Sequence, residues 1–244
     1  MKRFLDIFCS FFGLIVFLPI LLPTMFLIWL QDFNSPFFKA PRLGINGKVF
    51  TMVKLRSMVL NADKSGVDST QANDVRITKI GKFIRKFKLD ELTQLWNVLI
   101  GDVSLVGPRP NVIREVEIYT EKEKRLLSVK PGITDFSSIV FSDEADILEG
   151  HPDPDIGYNQ LIRPWKSRLA FVSIDNQSII LDLKIIWLTA VAIISKEKAL
   201  FGVVRELKKI KVPEDLIKIA ARKEKLIPTP PLGANKIITK RDFY

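Results

Sequence analysis

Residues 7–30 carry no charged side chain, and most of these 24 residues are Phe, Leu, Ile or Val. At about 1.5 Å per residue, a helix of that length reaches about 36 Å, enough to span the hydrocarbon of a bilayer. A chain with such a segment must bury that surface or place it in lipid. A cleaved secretory leader fits poorly: the run is too long, and Gln31, Asp32, Phe33 and Asn34 follow it where small residues are needed. Two features argue against a plain span. Lys2 and Arg3 precede the run and Lys39 and Arg42 follow it, so the positive-inside bias holds both ends on the cytoplasmic side. Pro19 and Pro23 fall within it, and each removes a backbone donor. A break near Pro19 leaves two legs of about 12 residues, about 18 Å each, too short to cross singly. The expected arrangement is a re-entrant helical hairpin within residues 1–36 that dips into one leaflet. The alternative is a kinked transmembrane helix.

Composition removes several chemistries. One cysteine, Cys9, permits no intrachain disulfide and no thiolate zinc site, and one histidine, His151, permits no multi-histidine metal cage. Acid, base or nucleophilic work therefore falls to carboxylates, Lys, Ser/Thr or Tyr. The net charge of +10 is uneven: residues 196–244 hold 13 basic and 6 acidic side chains, whereas the rest hold 24 and 21. A basic C-terminal tail is expected, with nucleic acid and anionic membrane both electrostatically allowed as its partners.

The intervening residues 37–195 read as one α+β, predominantly helical unit. Two β-prone runs, 37–43 and 48–55, flank Gly44-Ile45-Asn46-Gly47, and Asn-Gly is a hairpin turn signal. Residues 61–74 are polar and read as a mobile loop. Ile80, Phe83, Ile84 and Phe87 recur at helical spacing, with Lys79, Lys82, Arg85 and Lys86 on the other side. A second helix is expected from Asp90, carrying Leu92, Leu95, Trp96 and Leu99 and stopping at Gly101. Asp90 and Glu91 then lie at its N-terminus, where acids ordinarily cap. Arg109 lies between Pro108 and Pro110, which present its guanidinium from a stiff turn suited to an anion. The apolar run 179–194 is short for a span and reads as an interface or core helix. Beyond it a polar helix and a loose, Pro-rich terminus are expected.

Lys88-Leu89-Asp90-Glu91-Leu92-Thr93-Gln94-Leu95-Trp96-Asn97-Val98-Leu99, followed by Gly101-Asp102-Val103-Ser104-Leu105-Val106-Gly107-Pro108-Arg109-Pro110, resembles the bacterial sugar transferases, the monotopic polyprenyl-phosphate phosphoglycosyl transferases that initiate surface glycan synthesis. Further matches are Lys2-Arg3 with Asp6, Gly44 to Gly47, Phe50 to Met58, Arg76 to Gly81, and Lys130-Pro131-Gly132-Ile133-Thr134, in the family's order over about residues 1 to 195. The resemblance implies an enzyme with a re-entrant helix broken at Pro19. Such an enzyme moves a sugar 1-phosphate from a UDP-sugar to undecaprenyl or another polyprenyl phosphate and releases UMP. It implies Asp90 as the nucleophile that carries a covalent sugar-phosphate, Glu91 as its acidic partner, and Mg²⁺ as cofactor on that pair. It also implies a site on the cytoplasmic face of the bacterial inner membrane, with the lipid bilayer and not nucleic acid as partner.

Chemistry agrees with that assignment. A carboxylate attacking a diphosphate meets charge repulsion, so cations must neutralise the phosphates. Lys54, Arg56, Arg85 and Arg109 are the candidates for phosphate contact. The chain departs from the family's frequent wording at Leu18, Thr93 and Asp135-Phe136-Ser137-Ser138, so the sugar does not carry over. The competing possibility is a non-catalytic membrane-anchored scaffold in which Asp90 and Glu91 merely cap a helix.

Overall fold

The computed structural model describes residues 1–240. The apolar run forms one helix, α1 (Lys2–Leu30), which continues through Pro19 and Pro23. No non-helical residue interrupts it at Pro19, where the sequence suggests a break. The two prolines are exposed, whereas Ser10 before them, Leu21 between them, and Thr24 and Ile28 after them are buried in one stripe against the globular body. Packing on both sides of the missing donors thus outweighs the helix-breaking tendency.

Both ends of α1 are fastened to that same body. At the start, Lys2 pairs with Asp182 at 2.6 Å, and Arg3 donates to the carbonyls of Val98 and Leu99. The buried Asp6 carboxylate accepts from Ser104 Oγ and from Leu105 N at 2.9 Å. At the far end Leu21 and Ile28 pack with Leu55, Ile84 and Leu89. The outer side remains apolar and exposed, from Phe4, Phe8, Phe11 and Phe12 to Phe26, Leu27, Trp29 and Leu30.

The predicted hairpin is present. Strands β1 (Phe37–Leu43) and β2 (Val49–Leu55) pair antiparallel from Phe37 opposite Leu55 to Leu43 opposite Val49, turning through Asn46 at φ 55°. Residues 61–74 form a loop with one 3₁₀ turn, tethered by the Arg76 guanidinium to Asp74 and to the Val67 carbonyl. Helix α2 (Lys79–Lys86) is capped by the Thr78 hydroxyl, which accepts from Gly81 N. Of its expected apolar face only Ile84 is fully buried, while Phe83 and Phe87 pack on each other outside.

The second helix is interrupted: α3 (Leu89–Leu92) and α4 (Gln94–Ile100) meet at Thr93, and Gly101 ends α4 at φ 100° as expected. Asn97 explains how α4 holds the hairpin. Its side-chain oxygen accepts from Val53 N at 3.0 Å and its amide donates to Thr51 O at 2.8 Å, so it pairs like a short third strand.

Strands β3 (Ser104–Val106) and β4 (Gly132–Thr134) form a parallel pair not foreseen from sequence. Between them lies α5 (Ile113–Glu117), and after them α6 (Phe136–Val140), α7 (Glu144–Ile147) and α8 (Pro154–Gly157), all short. A π-turn over Tyr158–Ile162 leads into α9 (Arg163–Asp175), followed by α10 (Ile179–Ile194), α11 (Lys196–Ile210) and α12 (Glu214–Ala221). Helix α10 is a core helix on one side, where Leu181, Ile185 and Leu188 are buried, while Ile180, Leu183 and Trp187 face outward.

The expected tail is in large part core. Ala199, Val203 and Leu207 of α11 and Leu216, Ile217 and Ala220 of α12 join the main hydrophobic cluster with Val103, Phe136, Ile162 and Leu169. A dense surface charge hid that stripe, because the exposed positions of α11 are mostly Lys, Arg and Glu. The Pro-rich terminus also docks instead of hanging loose. Thr229 N donates to Gln160 O, Gln160 Nε2 donates to Ile238 O, and Thr120 Oγ1 donates to Leu232 O. Residues 241–244 of the predicted tail lie outside the described residues.

Candidate active site

Asp90 and Glu91 occupy the first turn of α3, but neither caps it. The residue before the helix is Lys88, in the left-handed region at φ 55°, and no side chain closes the turn. Oδ1 of Asp90 is buried without a hydrogen-bond partner. A buried carboxylate oxygen left unpaired costs stability, which is the reverse of what a cap provides.

Glu91 is held instead by cations. Arg109 Nη2 donates to Glu91 Oε1 at 2.5 Å, and Lys54 Nζ stands 3.8 Å from the same oxygen. Each cation arrives from a different element. Lys54 lies on β2, which is hooked to the acidic helix because Thr93 Oγ1 donates to Val53 O and Asn97 pairs with both Thr51 and Val53. Arg109 follows β3 directly, and its turn is clamped because Gly132 N donates to Pro108 O at 2.8 Å and Gly107 N to Thr134 O at 3.0 Å. That approach requires glycine: a Cβ on Gly132 would lie 2.0 Å from the Gly107 nitrogen.

Arg85, from α2, donates to Ser57 Oγ at 3.0 Å and adds positive field at Asp90. Arg56 does not belong to this group. Its buried guanidinium pairs with Asp32 and donates to Ser35 O, so it fastens the chain just after α1 and is unavailable as the phosphate contact the sequence suggested. Arg56 lies one residue beyond the end of β2, so strand alternation, which would keep it on the face of Lys54, does not set its direction; its contacts with Asp32 and Ser35 do.

The electrostatics separate the two acids. Burial, reinforced by the Glu91 charge, pushes the Asp90 pKa up, against the pull of Lys54, Arg85 and Lys88. Burial also opposes the Glu91 charge, but Arg109 and Lys54 outweigh it and hold that carboxyl well below the usual carboxylate range. Burial and the nearby Arg109 lower Lys54 to about 8, despite both carboxylates. Glu91 is thus a permanent anion locked between cations, while Asp90 has an oxygen that nothing in the fold engages.

Two adjacent carboxylates suit a hard divalent cation. No cluster of three or more Asp, Glu, His or Cys that could hold a metal occurs among the described residues. A cation on Asp90 and Glu91 would therefore complete its shell from water and substrate oxygens, the habit of Mg²⁺. The free Asp90 Oδ1 fits that donor set.

With this geometry in place, the family model described as bacterial sugar transferase matches residues 1–196. The chain belongs to the bacterial sugar transferase family. It is 38% identical over 197 residues to an uncharacterized sugar transferase, EpsL, of Bacillus subtilis (strain 168), covering 81% of this chain and 89% of that one. A second protein of that strain, a putative undecaprenyl-phosphate N-acetylgalactosaminyl 1-phosphate transferase, is 42% identical over 133 residues, covering 54% of this chain and 70% of its own length. The UDP-glucose:undecaprenyl-phosphate glucose-1-phosphate transferase of Klebsiella pneumoniae is 38% identical over 193 residues, but the match spans only 39% of that longer protein. The family match ends at residue 196, so α11, α12 and the docked terminus lie beyond it.

Within the family site, Asp6 and Asn97 are the residues that sequence reasoning left without a role. Both are short polar side chains inside otherwise apolar helical stretches, and that misplacement was the available signal.

Proposed function

We propose that this chain transfers a sugar 1-phosphate from a UDP-sugar to undecaprenyl or another polyprenyl phosphate, releasing UMP, through a covalent intermediate on Asp90. The carrying observation is the buried, unpartnered Asp90 Oδ1 beside a Glu91 fixed by Arg109 and Lys54. An Asp90 oxygen attacks the β-phosphorus of the donor, and the bond from that phosphorus to the bridging oxygen breaks, so UMP leaves with the bonding electrons. The product is an aspartyl acyl phosphate bearing the sugar. A phosphate oxygen of the polyprenyl acceptor then attacks the same phosphorus, the Asp90–phosphorus bond breaks, and the carboxylate is regenerated. Arg109 and Lys54 lower the repulsion that a carboxylate meets at a diphosphate, and Arg109 offers two parallel donors to phosphate oxygens. The raised pKa of Asp90 makes it a more basic nucleophile than an ordinary aspartate. Mg²⁺ bound to Asp90 and Glu91 would supply further charge neutralisation.

Membrane seating follows the same reading. Helix α1 is long and apolar enough to cross a bilayer, yet both its ends are fastened to one globular body. Its exposed aromatic and aliphatic side is proposed to lie in the cytoplasmic leaflet of the bacterial inner membrane, which brings the acceptor phosphate to the depth of the site.

The test is UMP release by the purified full chain in bilayer mimics, with a panel of UDP-sugars, undecaprenyl phosphate and Mg²⁺. Intact-mass analysis with donor alone should find a sugar-phosphate adduct on Asp90. A folded protein that releases no UMP and carries no adduct is the scaffold alternative.

A further inference from the structure

An open cleft lies on the other side of Arg109, between its turn, α6 and α9. Arg109, Asn111, Ser137, Tyr158 and Lys166 line it with polar groups. We infer that this cavity binds the sugar ring of the donor, with Ser137, Tyr158 and Lys166 deciding which sugar is accepted. The inference rests on the donor reading above.

Position is the first argument. Arg109 borders the cavity and also reaches Glu91 at 2.5 Å. The phosphoryl group that Asp90 attacks carries the sugar, so a phosphate held at Arg109 has its ring within reach of the cavity.

Hydrogen-bonding capacity is the second. Ser137 Oγ donates to the buried Asp135 carboxylate at 2.7 Å, which leaves the hydroxyl oxygen as an acceptor. Asn111 Nδ2 donates to Tyr119 OH at 2.6 Å, which leaves the phenol proton and Asn111 Oδ1 free to bond elsewhere. Lys166, paired with Glu144, is a donor. Alternating donors and acceptors match sugar hydroxyls, each of which does both. A nucleobase ordinarily seeks an open aromatic face. Here Arg163 lies 5.4 Å over the Tyr119 ring and Lys166 5.2 Å over the Tyr158 ring, so each ring already carries a cation.

The wall is also rigidly built. The Arg163 guanidinium is buried on Glu123, Asn159 and the Ile118 carbonyl. Tyr158 begins the π-turn, a rare backbone form that concentrates at functional sites.

The experiment compares the full chain with Ser137→Ala, Tyr158→Phe and Lys166→Met. Steady-state kcat/KM is measured for UDP-glucose, UDP-galactose and their N-acetylated counterparts, with inhibition by UMP. The expected result is a change of about tenfold in the preference between two donors in at least one variant, with UMP inhibition altered by less than about twofold. Donor preferences unchanged in all three variants overturn the inference, as does UMP inhibition weakened about tenfold with preferences intact, which would place the uracil or ribose there instead. If the wild-type chain turns over no donor, the proposed reaction fails separately. The cavity is then read by thermal shift with sugar 1-phosphates and with UMP. Stabilisation by a sugar 1-phosphate that the variants lose supports the cavity, and its absence in the wild type overturns it.

Discussion

Replacing Asp90 by Asn should abolish turnover and at the same time stabilise the fold. The variant keeps the shape of the side chain and removes its charge. An unsatisfied buried polar group costs about 1–3 kcal/mol and a charged one more; Asn keeps a polar group there, so what it relieves is the excess due to the charge. Because Lys54, Arg85 and Lys88 already compensate part of the Asp90 charge, the gain belongs at the low end, about 1 kcal/mol. For a chain of this size that corresponds to a rise in Tm of about 2–4 °C. The pH dependence has a definite sign. Asp90 binds its proton more tightly in the folded state than in the unfolded one, so its ionisation lowers wild-type stability as pH rises from the ordinary aspartate value through the raised one. Asn does not titrate. The Tm advantage of the variant should therefore be larger at pH 8 and shrink as pH falls to about 4. Calorimetry in bilayer mimics at both pH values, with UMP release measured in parallel, tests the pair of expectations. Turnover should fall at least about 1000-fold. A variant that melts several degrees lower and still releases UMP would establish Asp90 as a structural cap and refute the nucleophile.

Arg109→Lys keeps the charge beside Glu91 but loses the planar fork, so kcat/KM should fall about 100-fold with Tm changed by less than about 2 °C; UMP kinetics with melting curves decide it. Arg56→Met should do the opposite, lowering Tm while leaving donor KM within about twofold, because its guanidinium holds Asp32 and Ser35 away from the site. Gly132→Ala would drive a Cβ to 2.0 Å from the Gly107 nitrogen, and since both partners are backbone, β3 and β4 must part. A loss of about 3 kcal/mol is expected, a fall in Tm of about 6–12 °C, and an unchanged melting curve would contradict the strand contact. Truncation after Arg222 removes the segment pinned to Thr120 and Gln160, and donor KM should rise about fivefold with kcat retained. A loss of kcat with constant KM would show that this segment acts elsewhere.

Local features of the chain were legible without coordinates. The Asn46-Gly47 signal between β-prone runs marked the hairpin, because turn chemistry and β propensity are properties of neighbouring residues, whereas its register came only from the structure. Gly101 marked the end of α4 for the same reason. Reasoning from local pattern failed where distant segments decide. Pro19 and Pro23 predict a broken helix in isolation, but the body beneath α1 packs both sides of them. Arg56 and Lys54 are near neighbours of one sign, and only their partners, Asp32 and Glu91, separate a structural role from a place beside the acids. The charge-rich residues after 196 read as a basic tail because Lys and Arg on the outer side are interspersed with the apolar residues that face the core.

The sequence by itself therefore determined the inventory: an apolar N-terminal helix that lipid or protein must cover, an acidic pair at a helix start, cations spaced around it, and membership in the bacterial sugar transferases. Tertiary structure decided which cation meets which acid, that Asp90 keeps an unpaired oxygen while Glu91 is locked, and that a polar cavity opens beyond Arg109. The physical reason is range. Propensity, capping and turn chemistry act over a few residues, whereas burial and Coulomb interactions depend on which remote segments the fold brings within a few ångströms.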